Sequence, residues 1–393
     1  MTVIATFFAD AHVDVSNWAS HSRLRGDSMW SLSYIFDKSV AIGASDVICA
    51  GDFFDEKDPP SEAVTHTRLE IDKLADKRIN FYFVQGQHDM VAPPWLNAIH
   101  DWPSHLHENV ATLRNRERVH GLDWLPANRL QGALEAVPPV ADIFVGHQVW
   151  EDFMGDNVVC EGHFGLVKHA TRVFTGDFHK RVHWLPEDSG LLGGSGQRLE
   201  IVSAGSTNMR SIIEDRAKYF AAYHDDGAWS FIKIPTRLVF EREIRDSSGM
   251  DSLIEDWDAV TGRLVRLAVK RKLPEQLRKP IIYIRYSDTV PDAPSRIDKL
   301  VGDFGFTFYK CVESSAEEEA EGVVAERREM LKRGLSGCLG LVLDKEDPRY
   351  VPLSSLLNSA DPLATIRSLR ADFLTTEDGH VTEEDRGQKL LST

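Results

Sequence analysis

The stretch Asp46-Val47-Ile48-Cys49-Ala50-Gly51-Asp52-Phe53-Phe54-Asp55 decides how this chain is read. Four apolar residues behind an aspartate run straight into a glycine-led turn that carries two acids. A short apolar run bounded by a turn signal reads as a strand buried on both faces, as in a parallel sheet. Gly51 lets the backbone turn sharply where the strand ends. A carboxylate delivered there, Asp52, is placed to bridge two cations about 3.5–4 Å apart. Asp55 has two readings of similar weight, ligand or loop cap.

The same device recurs on both sides. An apolar run over 3–9 delivers Asp10-Ala11-His12, and an aromatic run over 80–85 delivers Gly86-Gln87-His88-Asp89. Runs over 142–145 and 172–175 deliver Gly146-His147 and Gly176-Asp177-Phe178-His179. Asp10 and His12 are two apart on an emerging strand and so point the same way. His88 is placed to protonate a leaving oxygen, with Asp89 beside it to set its orientation. Oxygen donors mixed with imidazoles are what a pair of Mn, Fe or Zn ions requires, and two such ions invite phosphoester hydrolysis. One such segment is weak evidence; five in order, each after a strand, are strong.

Strand–helix–strand alternation surrounds the motifs. Helices are predicted over 29–42 and 61–76, the latter capped by Ser61, between the strands over 3–9, 46–50 and 80–85. That pattern predicts an α/β fold with a mostly parallel sheet and functional loops at the carboxyl ends of strands. Further strands are predicted over 118–124, 142–145, 172–175, 199–204, 219–223, 229–234 and 238–244. From about residue 199 the helices vanish, which predicts a second, more antiparallel sheet packed on the first. Composition shifts near 246. A helix over 252–272, a strand over 280–286, a helix over 294–304 and a strand over 306–312 form a small βαβ unit. Residues 313–333 are rich in Glu and then Arg and read as a solvated connector. An apolar run over 339–343 and helices near 353–357 and 363–374 follow, then a polar tail, 376–393, that reads as disordered.

The chain has 393 residues, room for two or three domains, and 42% hydrophobic residues, normal for a large core. Its net charge of −16 excludes a protein that coats nucleic acid by charge alone, though not a nuclease whose cations are supplied by bound metal. Four scattered cysteines without a CxxC pair argue against a thiolate zinc site and a disulfide framework. No run of about 18 apolar residues predicts a membrane span. The apolar first ten residues lack a basic leader and read as a core strand, not a signal peptide. A cytoplasmic location follows as the expectation.

These five segments, apart from Gln87 and Asp177, follow the series DxH, GDxxD, GNHD, GH and GHxH, and over residues 3–240 the chain resembles the calcineurin-like metallophosphoesterases that carry that signature. More narrowly the chain is similar to the SbcD-type nuclease subunit of double-strand-break repair complexes, phage versions included. His147-Gln148, His179-Lys180-Arg181 and the segment Ala204-Gly205-Ser206-Thr207-Asn208-Met209-Arg210 carry that narrower likeness.

The resemblance implies a two-sheet α/β sandwich over 1–245, a small DNA-capping-like α+β domain over 246–312, and ATPase-docking helices within 313–375. It implies that Asp10, His12, Asp52 and His179 hold the first metal, with Asp52 bridging, and that Gln87, His147 and Asp177 complete the second. His88 becomes the general acid in attack by metal-activated water on a phosphodiester, or steadies the scissile phosphate. Two positions depart from the pattern: the Asn of GNHD is Gln87, and the first His of GHxH is Asp177. Both fall on the second metal, and carboxylate for imidazole favours Mn or Mg over Zn. His163, His169 and His183 are candidate substitutes.

Lys180, Arg181, Ser206 and Arg210 are candidate substrate contacts. Lys168, Arg172, the run 270–272, Arg278 and Lys279 are weaker ones. Implied partners are DNA, an SbcC-type SMC-like ABC ATPase and a second copy of the chain. The chain lacks a P-loop, so ATP hydrolysis falls to a partner. The alternatives are a stand-alone phosphatase or small-molecule phosphodiesterase, and a non-catalytic scaffold whose second metal site has decayed.

Overall fold

The structure, a computed structural model, describes residues 1–16, 18, 24–154 and 162–312. The expected connector, docking helices and tail lie outside the described residues. Contacts divide the chain into Met1–Tyr286 with Val290–Lys310, and Ser287–Thr289 with Cys311–Thr393. The fold described below is that of the first unit.

In chain order the first half runs β1 (Val3–Phe8), α1 (Asp27–Ala41), β2 (Asp46–Ala50), α2 (Ser61–Asp76), β3 (Asn80–Val84), α3 (Trp95–Ile99) and β4 (Ser104–His105). Next come β5 (Val110–Thr112), β6 (Arg118–Leu122), α4 (Ala127–Glu135), β7 (Ile143–His147), α5 (Glu151–Met154), β8 (Arg172–Gly176), β9 (Val182–Trp184), α6 (Pro186–Ser189) and β10 (Glu200–Ser203). The chain continues through β11 (Lys218–His224), β12 (Trp229–Ile234), β13 (Val239–Ile244), α7 (Ser247–Lys270), α8 (Glu275–Arg278), β14 (Ile281–Ser287), α9 (Ala293–Val301) and β15 (Phe306–Val312).

Two six-stranded sheets result, in the orders β12-β11-β1-β2-β3-β4 and β5-β6-β7-β8-β10-β9, with a third sheet β13-β14-β15. The core strands β1, β2 and β3 run parallel, as do β6, β7, β8 and β10. This is the expected two-sheet α/β sandwich. Its origin is legible residue by residue, because successive side chains of a strand face opposite ways. Phe7, Ile48, Val145, Phe174, Val202 and Ala221 enter the core between the two sheets. Their neighbours Phe8, Val47 and Phe220 turn outward to α1 and α2. Phe144, Val173 and Ile201 turn outward to the α4 side. A strand buried on both faces must be apolar at every position, which is why these runs do not alternate in polarity.

Two expectations are corrected. No separate antiparallel sheet begins near residue 199. β10 joins the second sheet parallel to β8, while β11 crosses to the first and pairs antiparallel with β1. Both sheets are therefore mixed: β12, β11 and β1 pair antiparallel at one edge of the first, and β5 with β6 and β10 with β9 pair antiparallel at the two edges of the second. Ser61 is the first helical residue of α2 and not its cap; Pro60 precedes it without a side-chain cap bond. The third sheet begins upstream of 246, because β13 pairs parallel with β14 in register from Val239↔Ile281 to Ile244↔Tyr286. It has its own core, in which Met250, Leu253, Trp257 and Leu264 of α7 pack with Ile282, Ile284 and Ile297. Among the described residues, no helix is long and apolar enough to cross a membrane.

Candidate metal centre

All five motif segments emerge at the carboxyl ends of β1, β2, β3, β7 and β8, where parallel sheets gather functional loops. Neighbouring loops are laced together by backbone bonds. The amides of Asp10 and His12 donate to the carbonyls of Gly51 and Asp52. Asp10, His12, Asp52 and Asp177 all have positive φ, between 44° and 72°. Non-glycine residues seldom hold that conformation, and such strain concentrates at functional sites. Glycines make the room. A Cβ on Gly86 would lie 2.0 Å from Asp52 Oδ1, and one on Gly176 would lie 2.4 Å from His147 Nδ1.

Three groups of ligand atoms come together, each within 4.8 Å: Asp10, His12 and His179; Asp10, Asp52 and His147; and His12, Asp55 and His88. Asp10, His12, Asp52 and His147 are buried. His12 Nε2 and His179 Nε2 face each other at 3.3 Å. Nitrogens bound at 2.0–2.1 Å to one tetrahedral ion sit about 3.3 Å apart. Asp52 spends Oδ1 on the backbone amide of His88 at 3.0 Å. Its Oδ2 lies between the two histidine sets, 3.7 Å from His12 Nε2 and 3.2 Å from His147 Nε2. A single oxygen of Asp52 thus stands between the two sets.

The donors fit divalent cations on a second ground. His147 donates from Nδ1 to the carbonyl of Ala50 at 2.7 Å, which turns Nε2 toward the centre. His147 Nε2, Asp10 Oδ2 and Gln87 Oε1 are buried without a hydrogen-bond partner. Buried polar atoms without partners are costly, and Asp10 and His147 share one of the ligand groups above, which a bound cation would satisfy. Charge bears this out. Burial opposes ionisation of Asp52, but His147 and His12 outweigh it and hold its carboxyl well below the usual range. Burial opposes a charge on His147, but Asp52, Asp10 and Asp177 raise its pKa well above the ordinary imidazole value. Burial raises the pKa of Asp10, against the pull of His147, His179 and His12.

The two departures from the resemblance touch each other. Gln87 Nε2 donates to Asp177 Oδ1 at 2.5 Å, and the same Asp177 oxygen is 3.9 Å from His147 Nε2. The amide is thereby held with Oε1 as its unused donor atom. His88, on the rim, donates from Nδ1 to the carbonyl of Asp55 at 2.8 Å, and its Nε2 is 4.0 Å from Asp52 Oδ2.

Asp89 does not orient His88. Its carboxylate accepts from Gly86 N at 2.8 Å, Phe53 N at 2.9 Å and Phe54 N at 3.4 Å, clamping the second and third motif loops together. Burial, then Asp52, push its pKa up to about 7 despite those bonds. Asp89 is buried between the two loops, whereas His88 is partly exposed and bonded to the Asp55 carbonyl. Ser206 is likewise no surface contact. It is fully buried, bridged to Ala9, and accepts from Lys218 Nζ at 2.7 Å. Arg210 is in the centre, its Nη1 3.1 Å from His12 Nδ1 and its Nη2 2.5 Å from Asp55 Oδ1. Lys180 is exposed beside the Phe178 ring, and Arg181 lies over Tyr219, 4.3 Å from its ring centre.

His163, His169 and His183 stay outside the centre, on Glu151, Ser195 and Glu200 respectively. Arg172 pairs with Glu117 and Glu200, and Lys168 with Glu135. Sequence reasoning missed Glu214. Its Oε1 is 3.5 Å from His179 Nδ1, and its Oε2 accepts from the buried Lys218 at 2.8 Å. Burial opposes its charge, but His179 and Lys218 bring its pKa down to about 2. A carboxylate behind a ligating histidine fixes the ring and raises its basicity. No local signal marks Glu214; only the folded loop brings it to His179.

A scan against protein-family models gives no match, and neither does a search of curated proteins. Among the solved structures that match is a crystal structure of a dimetal phosphatase from Danio rerio. It is 12% identical, covers 56% of this chain and 92% of its own, and superposes with a TM-score of 0.37.

Proposed function

We propose that this chain is a two-metal-dependent phosphodiesterase, and that it acts as a DNA nuclease subunit of the SbcD type, cytoplasmic, with an SMC-like ATPase and a second copy of itself as partners. The observation that carries the phosphodiesterase reading is the convergence of Asp10, Asp52 and His147 as one buried group of ligand atoms, beside the group of Asp10, His12 and His179. The nuclease reading is supported by the motif series with its His147-Gln148 and His179-Lys180-Arg181 continuations. The oxygen-rich second set, Gln87 and Asp177 with His147, favours Mn or Mg.

Divalent cations bound there would activate water and neutralise phosphate oxygens. The chain's own residues do the rest. Asp52, kept ionised by its histidines, would help Asp10 and His147 hold a divalent cation. His88, with Nδ1 tied to the Asp55 carbonyl, holds Nε2 beside the centre, 4.0 Å from Asp52 Oδ2. There it donates its proton to the departing sugar oxygen. Arg210, positively charged in the centre beside His12 and Asp55, donates to a phosphate oxygen when substrate displaces it from His12.

The test is hydrolysis of linear duplex and single-stranded DNA by the purified chain in Mn, beside small phosphoesters. The proposal expects DNA cleavage, abolished by Asp52→Asn and lowered about a hundredfold or more by His88→Ala. Turnover of small phosphoesters alone would replace the nuclease reading with a stand-alone phosphatase. Silence on all substrates, ATPase partner included, would leave only a binding scaffold.

A further inference from the structure

A cavity of about 430 Å³ lies between β13 and α7, and none of the candidate metal ligands lines it. One face of α7 supplies Val260, Arg263, Leu264, Leu267 and Arg271, residues spaced to share a side of a helix. Lys233, at the end of β12, adds a third cation. Among the described lining residues the one acid is Glu241, and Arg216 already pairs with it at 2.6 Å. Arg237 also borders the cavity, but its guanidinium is spent on Asp27 and on the carbonyls of Gln276, Lys279 and Arg25. Among the described residues no carboxylate forms an ion pair with Lys233, Arg263 or Arg271. Three uncompensated cations around one cavity stand out in a chain of net charge −16.

We propose that this cavity binds a small organic phosphate with an apolar or aromatic body, the size of a nucleoside monophosphate. The cations suit phosphate oxygens, arginine by its planar fork and lysine as a point charge. Val260, Leu264 and Leu267 give the body of the ligand an apolar floor. The volume falls within the roughly 300–1,000 Å³ usual for small-molecule sites. Inorganic phosphate would leave that floor unused. A nucleic-acid strand needs an open track, whereas β13 and α7 wall this space on two sides. The site is separate from the metal centre, and its ligand does not depend on what that centre hydrolyses.

The experiment is calorimetric titration of the full chain with AMP, in EDTA and in an Asp52→Asn background, so that the metal centre does not compete. The proposal expects saturable binding of one AMP per chain, weakened about tenfold by either Arg263→Gln or Lys233→Gln. Val260→Trp, which fills the floor without changing charge, abolishes it. Both cations are exposed, so their variants fold, and Val260→Trp tests the site by independent chemistry. Absence of AMP binding, or AMP binding unchanged in all three variants, overturns the proposal. So does sulfate binding as tightly as AMP, or binding of oligonucleotides alone.

Discussion

At the scale of single residues, the centre is set by small departures from ordinary backbone and side-chain preference. Gly86 has no room for a methyl group, because its Cβ would meet both Asp52 Oδ1 at 2.0 Å and Asp52 N at 2.5 Å. Gly86→Ala must therefore push Asp52 or the whole turn aside. The expected result is a loss of about 1–3 kcal/mol in denaturant titration, with phosphoesterase activity lost in the protein that remains folded. Gln87 and Asp177 form a pair across the centre, and a pair in contact is not additive. Gln87→Asn shortens the reach by a methylene, and Asp177→His removes the oxygen that Nε2 donates to. In a double-mutant cycle on metal affinity the two changes together are expected to cost less than the sum of each alone, by about 0.5–3 kcal/mol. Additive losses would mean that the two positions act independently.

At the scale of elements, α7 shows how one helix serves two surfaces. Met250, Leu253 and Trp257 form a buried stripe against the third sheet, Arg263 and Arg271 face the cavity, and Leu264 belongs to both. Asp246 starts the helix by accepting from Gly249 N at 2.8 Å. Trp257 anchors the stripe, with ring centres 6.2 Å from Phe240 and 5.9 Å from Phe304. Trp257→Ala is expected to cost about 3–5 kcal/mol, because it removes a large ring and leaves a cavity that rigid strands cannot close. Thermal unfolding followed by circular dichroism checks this. The metal centre is built on β1, β2, β3, β7 and β8, so cleavage by the folded fraction should be preserved.

At the scale of the whole molecule, the two sheets meet face to face, and the centre spans the seam between them. Asp10, His12, Asp52, Gln87 and His88 come from the first sheet, and His147, Asp177 and His179 from the second. Cations held there would tie the two sheets together and offset the charge of the clustered carboxylates. Metal at 100 times its dissociation constant is expected to stabilise the fold by about 2.7 kcal/mol and raise the Tm by a few degrees. EDTA should reverse the shift. Asp10→Asn with His147→Ala should remove the response to Mn; an equal Tm with and without metal in the parent chain would mean that no cation binds.

What the sequence determined by itself is the set of five strand-to-turn segments and the α/β character that presents them. Those signals are local. An apolar run of strand length, a glycine at its end and a polar ligand after it lie within ten residues of one another, as in 46–55. The helices α1 and α2 and the strands β1 to β3 were legible for the same reason.

The tertiary structure decided whatever depends on residues far apart in the chain. β11 and β12 return to the first sheet beside β1, a choice made by which apolar faces match and not by strand propensity. Asp89 clamps two loops instead of steering His88, because it is buried between them while His88 is bonded to the Asp55 carbonyl. Ser206 is buried, and Glu214 backs His179, because the 204–214 segment folds against the loop of Asp10 through Thr207 and Asn208. The contact between Gln87 and Asp177 spans 90 residues of chain. Side-chain direction at that separation is set by packing of the two sheets, and no local pattern encodes it.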